Sequence, residues 1–150
     1  MIATVCCCIS IHTMGIDYLR EGNSPNGKIL FNFDGRYIRE GNSSTGKIVY
    51  TLCSNLIRSG NSSTGRILAY LDGMKVRQGN SSTGKILFLL EGNCVRQGNS
   101  TTGRVLFNFD RKLIRSGDSS TGSIIANFSG NVPKPLLAFL IYHSRESDRK

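Results

Sequence analysis

Tryptophan is absent from this sequence, and acidic residues and prolines are scarce. The 150 residues include 19 Lys plus Arg, 10 Asp plus Glu and three Pro. Without tryptophan, the core has to be built mainly from Ile, Leu, Val and Phe. The shortage of acids leaves a formal net charge of +9, which attracts phosphate groups, nucleic acid and anionic lipid.

No apolar run is long enough to cross a bilayer as a helix. Residues 136–142 form a run of seven apolar residues, whereas a membrane-spanning helix needs about 20. Residues 1–11 are also apolar, but they lack a charged start and a small-residue cleavage site and do not predict a signal peptide. We expect a cytoplasmic protein, with peripheral association at a membrane as the alternative.

Metal-binding and catalytic patterns are also missing. The five cysteines are an odd number, and Cys6, Cys7 and Cys8 stand together without the C-x-x-C spacing of metal sites. Unpaired thiols in a reducing compartment are the simplest interpretation, and acylation of the N-terminal cluster is the alternative. The two histidines, His12 and His143, lie near opposite ends of the chain. We therefore predict no metal, no cofactor and no enzymatic activity.

A repeat of 19 residues occupies most of the sequence. Six units follow one another without insertion, beginning at Gly22, Gly41, Gly60, Gly79, Gly98 and Gly117. A degenerate hairpin unit, residues 1–21, precedes them, and an apolar segment with a polar tail, residues 136–150, follows them. Self-similarity at a fixed period indicates a repeat architecture. We predict one domain over residues 1–150, with the six repeats at residues 22–135.

Each unit begins with a loop and continues into a strand. The loop sequence Gly-Asn-Ser-Ser-Thr-Gly favours a turn structure, because Gly adopts positive φ and Asn and Ser bond their own backbone. In the strand of the first unit, Ile29, Phe31 and Phe33 alternate, which predicts one apolar face. Equivalent trios begin at Ile48 and Ile86 in later units.

A tight turn and a short second strand complete each unit. The turn residues are Asp-Gly or Glu-Gly in three units, which is a strong signal for a β-hairpin. Cys53-Ser54 and Asp110-Arg111 replace them in two other units, and for these we predict looser turns or turns of another type. Each unit is therefore predicted to be one β-hairpin.

Two arrangements of the repeats are compatible with a 19-residue period. In an open β-solenoid, Asn23, Asn42 and Asn61 would stack as a ladder, but such coils do not need the Asp-Gly hairpin turn. An open array also needs polar caps at its ends, and both ends of this array are apolar. These observations favour an all-β fold closed into a ring or barrel of about twelve strands, filled by a short apolar C-terminal helix that starts after Pro135.

Six hairpins around an apolar C-terminal segment resemble the β-flower proteins, which are closed rings of repeated hairpins. The chain is also similar in outline to the tubby-like fold, in which a β-barrel encloses a hydrophobic C-terminal helix. The resemblance covers the whole chain and lies in the architecture. Because tubby-like domains are associated with phosphoinositide binding and membrane tethering, this resemblance implies a lipid-binding role.

The loops match part of the phosphate-binding P-loop pattern, G-x-x-x-x-G-K. Residues 41–47 fit it, but Ile48 stands where a Ser or Thr should hold magnesium, and the loop opens a strand instead of a helix. The match recurs in other units, as expected of turn chemistry. The repeated Asn-Ser-Ser also fits the N-glycosylation pattern, as a by-product of the same loop.

Two columns of basic residues recur beside the loops. The first column follows each loop and consists of Lys28, Lys47, Arg66, Lys85 and Arg104. The second column precedes each loop and consists of Arg20, Arg39, Arg58, Arg77, Arg96 and Arg115. Because the acidic residues of the hairpin turns lie at the other end of the units, we predict a basic rim at the loop end and carboxylates at the turn end. Both columns are candidates for anion binding.

The basic rim favours a non-enzymatic module that binds anionic surfaces, chiefly lipid headgroups or the membrane surface. The alternative is a structural scaffold whose ring binds a protein partner. Nucleic acid also matches the charge, but the sequence predicts no surface aromatic residues on which bases would stack, so it is not the expected partner.

Overall fold

The computed structural model describes residues 15–147, and this part of the chain contains twelve strands and one helix. The strands, β1 to β12 in chain order, are Asp17–Glu21, Ile29–Phe33, Tyr37–Glu40, Ile48–Cys53, Leu56–Ser59, Ile67–Asp72, Lys75–Gln78, Ile86–Glu91, Cys94–Gln97, Val105–Asp110, Leu113–Ser116 and Ile124–Phe128. The helix, α1, spans Lys134–Ser147. The N-terminal cysteine cluster and His12 lie outside the described residues.

The strands form one closed antiparallel barrel, in which β1 pairs with β12. This confirms the predicted hairpin barrel and excludes the open β-solenoid. Pro133 and Pro135 stop the sixth unit after a single strand, β12, because proline cannot donate to a ladder. β1, from the degenerate unit, takes the place of the missing strand, with Leu19 opposite Phe128.

The hairpin turns have a positive φ at their first residue. Gly73 and Gly92 have φ of 60°, which glycine adopts without strain. Ser54 and Arg111 occupy the same place in their turns and have φ of 55° and 57°. The prediction of looser turns is therefore wrong. The β4–β5 and β10–β11 pairs have the same register as the hairpins that contain glycine. Because the register is the same, Ser54 and Arg111 adopt the positive φ that glycine adopts in the other turns.

A β-bulge inserts one extra residue into the long strands, and this residue faces the barrel interior. Between β7 and β8, Arg77 lies opposite Ile86 but Val76 lies opposite Phe88, so Leu87 is an extra residue. The shift recurs in the other pairs that flank a loop. Leu87 packs against the core, whereas Ile86 shares the outer side with Arg77. The predicted apolar face is right at Phe88 and wrong at Ile86, because strict alternation does not hold across a bulge.

The helix α1 fills the barrel, as the sequence predicted. Residues 136–141 are at most 3% exposed. The helix begins at Lys134, before Pro135 and not after it, because proline is tolerated in a first turn. The Lys134 Nζ donates to the Asn93 Oδ1 in the β8–β9 turn at 3.0 Å. The helix therefore enters at the turn end, and its C-terminal part reaches the loop end.

Candidate functional site

Four of the arginines that precede the loops, Arg58, Arg77, Arg96 and Arg115, each donate to the carbonyl of the glycine that ends the following loop. The Arg77 Nε donates to the Asp72 Oδ2 at 2.8 Å, and its Nη1 donates to the Gly84 carbonyl at 2.9 Å. Asp72 ends β6, and Gly84 ends the next loop. The other ion pairs of this type, at 2.7 to 3.0 Å, are Arg39–Asp34, Arg96–Glu91 and Arg115–Asp110.

These ion pairs change the predicted distribution of charge. The paired arginine side chains are only 12% to 22% exposed, and a carboxylate offsets the charge of each. The predicted separation of a basic loop rim from an acidic turn rim is therefore wrong for this column, since its side chains span the outer wall. A guanidinium group that is largely buried and already paired with a carboxylate attracts an external anion less than an exposed, unpaired cation does.

Arg58 is an exception in this column. Its Nη1 donates to the Gly65 carbonyl at 2.7 Å, but its buried Nε has no hydrogen-bond partner among the described residues. The reason is that Cys53 occupies the position of the acid. Cys53 is buried and disulfide-bonded, so the prediction of unpaired thiols is wrong for this residue. Cys94 is a free, half-buried thiol.

The cations that follow the loops are exposed at the loop end. They are Lys28, Lys47, Arg66, Lys85 and Arg104. None of them belongs to an ion pair within residues 15–147. The predicted basic rim is therefore formed by this column and not by both columns.

The neighbours of these cations divide the rim into two sectors. Backbone hydrogen bonds join the last residue of one strand to the first cation of the next, as from the Gln78 N to the Lys85 carbonyl at 2.8 Å. Lys28 shares its part of the rim with two carboxylate residues: the Glu21 N donates to the Lys28 carbonyl at 2.9 Å, and Glu40 ends the paired strand β3. We term this part of the rim the acidic sector. Three other cations, Arg66, Lys85 and Arg104, have only Ser or Gln at the ends of the adjoining short strands. We term these three residues the basic arc.

The loops are closed by their own hydrogen bonds. In the second unit, the Thr45 N donates to the Ser43 Oγ and the Gly46 N donates to the Ser43 carbonyl, both at 3.2 Å. The later loops repeat the first of these bonds. Because these N–H groups are engaged and each loop leads into a strand, the geometry is that of a turn and not of a P-loop.

Clefts open at the loop end between the C-terminal part of α1 and the barrel wall. The cleft in the acidic sector has a volume of about 420 Å³, and a cleft in the basic arc has about 350 Å³. His143 lines both clefts. Glu40 in the first and Gln78 in the second occupy the same position of the repeat. The two clefts therefore have similar volumes and differ in chemistry.

Aromatic rings line the cleft of the acidic sector. The ring centroid of Tyr50 lies 6.3 Å from that of Phe31 and 6.3 Å from that of His143. The imidazole of His143 lies 4.2 Å from Phe139, a buried residue of α1. Although His143 stands at the start of the polar tail, its imidazole is half-buried against the helix and the barrel wall.

Burial shifts the pKa of both titratable rings in this cleft. Burial raises the pKa of the Tyr50 hydroxyl above 10.0, and the negative charge of Glu40 raises it further. Burial lowers the pKa of His143 below 6.5, and the charge of Glu146 opposes this only in part. Both rings are therefore neutral at pH near 7, so the charge of the cleft comes from its carboxylates and its lysine.

We expect the barrel to lose stability as the pH falls below the ordinary His pKa of 6.5. Because the folded-state pKa of His143 is lower than this value, the unfolded chain takes up the proton first and unfolding becomes more favourable. Urea midpoints at about pH 7.5 and about pH 5.5 measure the loss, which His143→Gln should reduce. An equal loss of stability in His143→Gln and in the unmodified protein would contradict the assignment of this pH dependence to His143.

Asp34 acts in a different pH range. Burial alone would raise the pKa of Asp34, but hydrogen bonds from Arg39 and from the backbone of Tyr37 and Arg36 outweigh burial and lower the pKa below 3.8. The stability that this carboxylate contributes is therefore lost only in more acidic solution. The contributions of His143 and Asp34 to the pH dependence of stability can therefore be measured separately.

Sequence reasoning missed the acidic-sector cleft because its residues are departures from the repeat. Glu21 and Glu40 stand where later units have Ser or Gln, and Tyr50 stands where other units have Phe or Ala. These departures were the available signal. No group of three or more His, Cys, Asp or Glu within the described chain could hold a metal ion. No helix found there is long and apolar enough to cross a membrane.

The comparison with known proteins agrees with this architecture. The family described as "6-fold beta flower protein" matches residues 19–140, which reach from β1 into the buried part of α1. No curated protein and no solved structure matches the chain. The matched segment covers most of the 150 residues, and its hairpins close into a single barrel. The chain therefore belongs to the six-fold β-flower family.

Proposed function

We propose that this protein is a non-enzymatic binding module that docks the loop end of its barrel on an anionic membrane surface. The observation that carries the proposal is the basic arc. Its three cations, Arg66, Lys85 and Arg104, are exposed at one end of the barrel and have no acidic partner within residues 15–147. A net charge of +9 steers the chain towards such surfaces.

The residues assigned to the contact are fewer than the sequence suggested. The arginines paired with turn carboxylates have donors that already bind within the barrel, and Lys28 shares its part of the rim with Glu21 and Glu40. A basic residue near an anionic surface contributes about 1 kcal/mol. The three residues of the basic arc together therefore contribute about 3 kcal/mol to the free energy of membrane binding, which corresponds to roughly a 100-fold increase in partitioning onto the membrane.

The resemblance in outline to the tubby-like fold supports the same proposal. Tubby-like domains are associated with phosphoinositide binding and membrane tethering. In this chain, too, a β-barrel surrounds an apolar C-terminal helix. The shared feature is a closed barrel around a helix, and in this chain the loop end of the barrel presents several cations on one side.

Replacing Arg66, Lys85 and Arg104 together by Gln is expected to lower partitioning onto phosphatidylglycerol vesicles by roughly 100-fold. Lys28→Gln, in the same column of the repeat, is the matched control and should lower it by about twofold or less, because neighbouring carboxylates already offset its charge. Co-sedimentation at low and at physiological salt measures both effects, and salt should weaken binding of the unmodified protein. Equal losses in the two variants would contradict the assignment to the basic arc.

Two further measurements separate membrane docking from the alternatives. Phosphatidylcholine vesicles without anionic lipid should leave the protein in the supernatant, and duplex DNA should fail to displace it from anionic vesicles. Displacement by DNA would favour nucleic-acid binding. A protein that stays in the supernatant in every condition would favour the alternative of a structural scaffold for a protein partner.

A further inference from the structure

The barrel has six repeats, but the clefts around its loop end are not chemically equivalent. Each strand that precedes a loop ends in one residue at the same repeat position, and this residue is Glu only at Glu21 and Glu40. These two carboxylates lie on either side of β2, because β1 and β3 both pair with it. The pairing of these three strands therefore places both acidic side chains in the lining of one cleft.

The acidic-sector cleft has the size and lining of a small-molecule site. Its volume of about 420 Å³ lies within the range of about 300–1,000 Å³ that ligand pockets occupy. Leu30, Phe31, Val49 and Tyr50 supply its apolar and aromatic walls, and His143 closes it on the side of the helix. Such walls bury the body of a ligand, while a few polar groups at the rim fix its orientation.

The charge of this cleft is opposite in sign to that of the whole protein. Glu21 and Glu40 line it together with a single cation, Lys28. Glu40 lies close enough to Tyr50 for its charge to act on the phenol. Carboxylates beside an aromatic face attract a positive group in two ways, by ion pairing and by the quadrupole of the ring. An anion would meet a net negative rim here.

We infer that the acidic-sector cleft binds a small organic cation, that is, a protonated or quaternary amine with a short apolar body. The ammonium group lies between Glu40 and the face of Tyr50, and the apolar body contacts Phe31 and Val49. This site goes beyond the proposed membrane docking and does not rest on it, because the basic arc lies in other repeats of the rim.

The inference is tested by titrating the full chain with choline and with the uncharged analogue in which carbon replaces the nitrogen of choline. Choline is expected to shift the ring proton signals of Tyr50 and His143, and calorimetry gives its affinity. The analogue has the same shape and should bind at least about fivefold more weakly, because it lacks the charge. Equal binding of the two compounds would overturn the proposal, and so would unchanged signals with choline.

Two single substitutions at repeat-equivalent positions provide matched controls. Glu40 and Gln78 are both exposed, so Glu40→Gln and Gln78→Glu should leave the melting temperature unchanged. Glu40→Gln is expected to weaken choline binding about two- to fivefold. Gln78→Glu adds the same charge to the other cleft, where Phe88 stands at the position of Tyr50, and should leave affinity at the Tyr50 cleft unchanged. Equal effects of the two substitutions would overturn the proposal.

The aromatic contribution is tested with Tyr50→Leu. It is expected to weaken choline binding by about 2- to 30-fold through loss of the cation–π contact. Because this ring is half-buried and contacts Phe139, the melting temperature is measured in parallel. The substitution at Glu40 remains decisive if the Tyr50 variant is too unstable to titrate.

Two sources of the cation are distinguished by competition. If the natural ligand is a lipid headgroup, phosphatidylcholine vesicles should compete with free choline, and if it is a free amine, they should not. The variant that lacks the basic arc should still bind choline with unchanged affinity. Its failure to bind anionic vesicles would therefore leave the amine site intact, and weaker choline binding in Glu40→Gln would leave membrane docking intact.

Discussion

Ending the chain after Val132 is expected to abolish cooperative folding. The truncation removes α1, in which five large apolar side chains, Leu136, Leu137, Phe139, Leu140 and Ile141, are at most 3% exposed. Burial of a large apolar side chain contributes about 1.5–3 kcal/mol. The loss of about 7–15 kcal/mol matches the entire stability of an ordinary domain, and the barrel interior would be left hollow and apolar.

Circular dichroism and binding of a hydrophobic dye measure this effect. The truncated chain should melt without a cooperative transition and bind the dye, whereas a chain that ends after Ser147 should melt like the unmodified protein. Addition of a peptide spanning residues 133–147 should restore a cooperative melt. A truncated chain that melts cooperatively near the normal temperature would show that the barrel walls are stable without the helix.

Phe139→Ala is expected to destabilise the protein by about 3–5 kcal/mol. Phe139 is fully buried at the centre of the barrel, and its ring lies 5.4 Å from Tyr50 and 4.2 Å from His143. Removing the ring loses the free energy gained by transferring it from water into the core. It also leaves a cavity that the closed barrel cannot collapse to fill. For a domain of this size, the melting temperature should fall by roughly 6–20 °C.

Met74→Ala is the matched control for this substitution. Met74 lies in the β6–β7 turn and is 62% exposed, so its truncation should change the stability by less than about 0.5 kcal/mol. Urea unfolding at neutral pH compares both variants with the unmodified protein. Similar midpoints for Phe139→Ala and Met74→Ala would contradict the placement of Phe139 in the core.

Two failures of sequence reasoning share one cause. Strict alternation along a strand placed Ile86 inside, and a bulge that depends on the neighbouring strand placed it outside. The spacing of Arg77 along the chain put it at the loop end, but spacing does not report that its guanidinium reaches Asp72 on the paired strand. Both errors arise because the deciding contact lies on another strand.

The repeat period and the turn residues by themselves determined an all-β protein of six hairpins, its closure, and the apolar helix inside it. A hairpin depends on residues that are a few positions apart in the sequence. The two ends of the repeat array are apolar, and closure of the array is the way to bury them. The local sequence pattern is therefore sufficient to predict these features. Only the tertiary structure decided which cations are neutralised and which are free, and that Glu21 shares a cleft with Tyr50 and His143. Charge and cleft chemistry depend on distances through space. Along the barrel wall, those distances are set by the pairing of neighbouring strands.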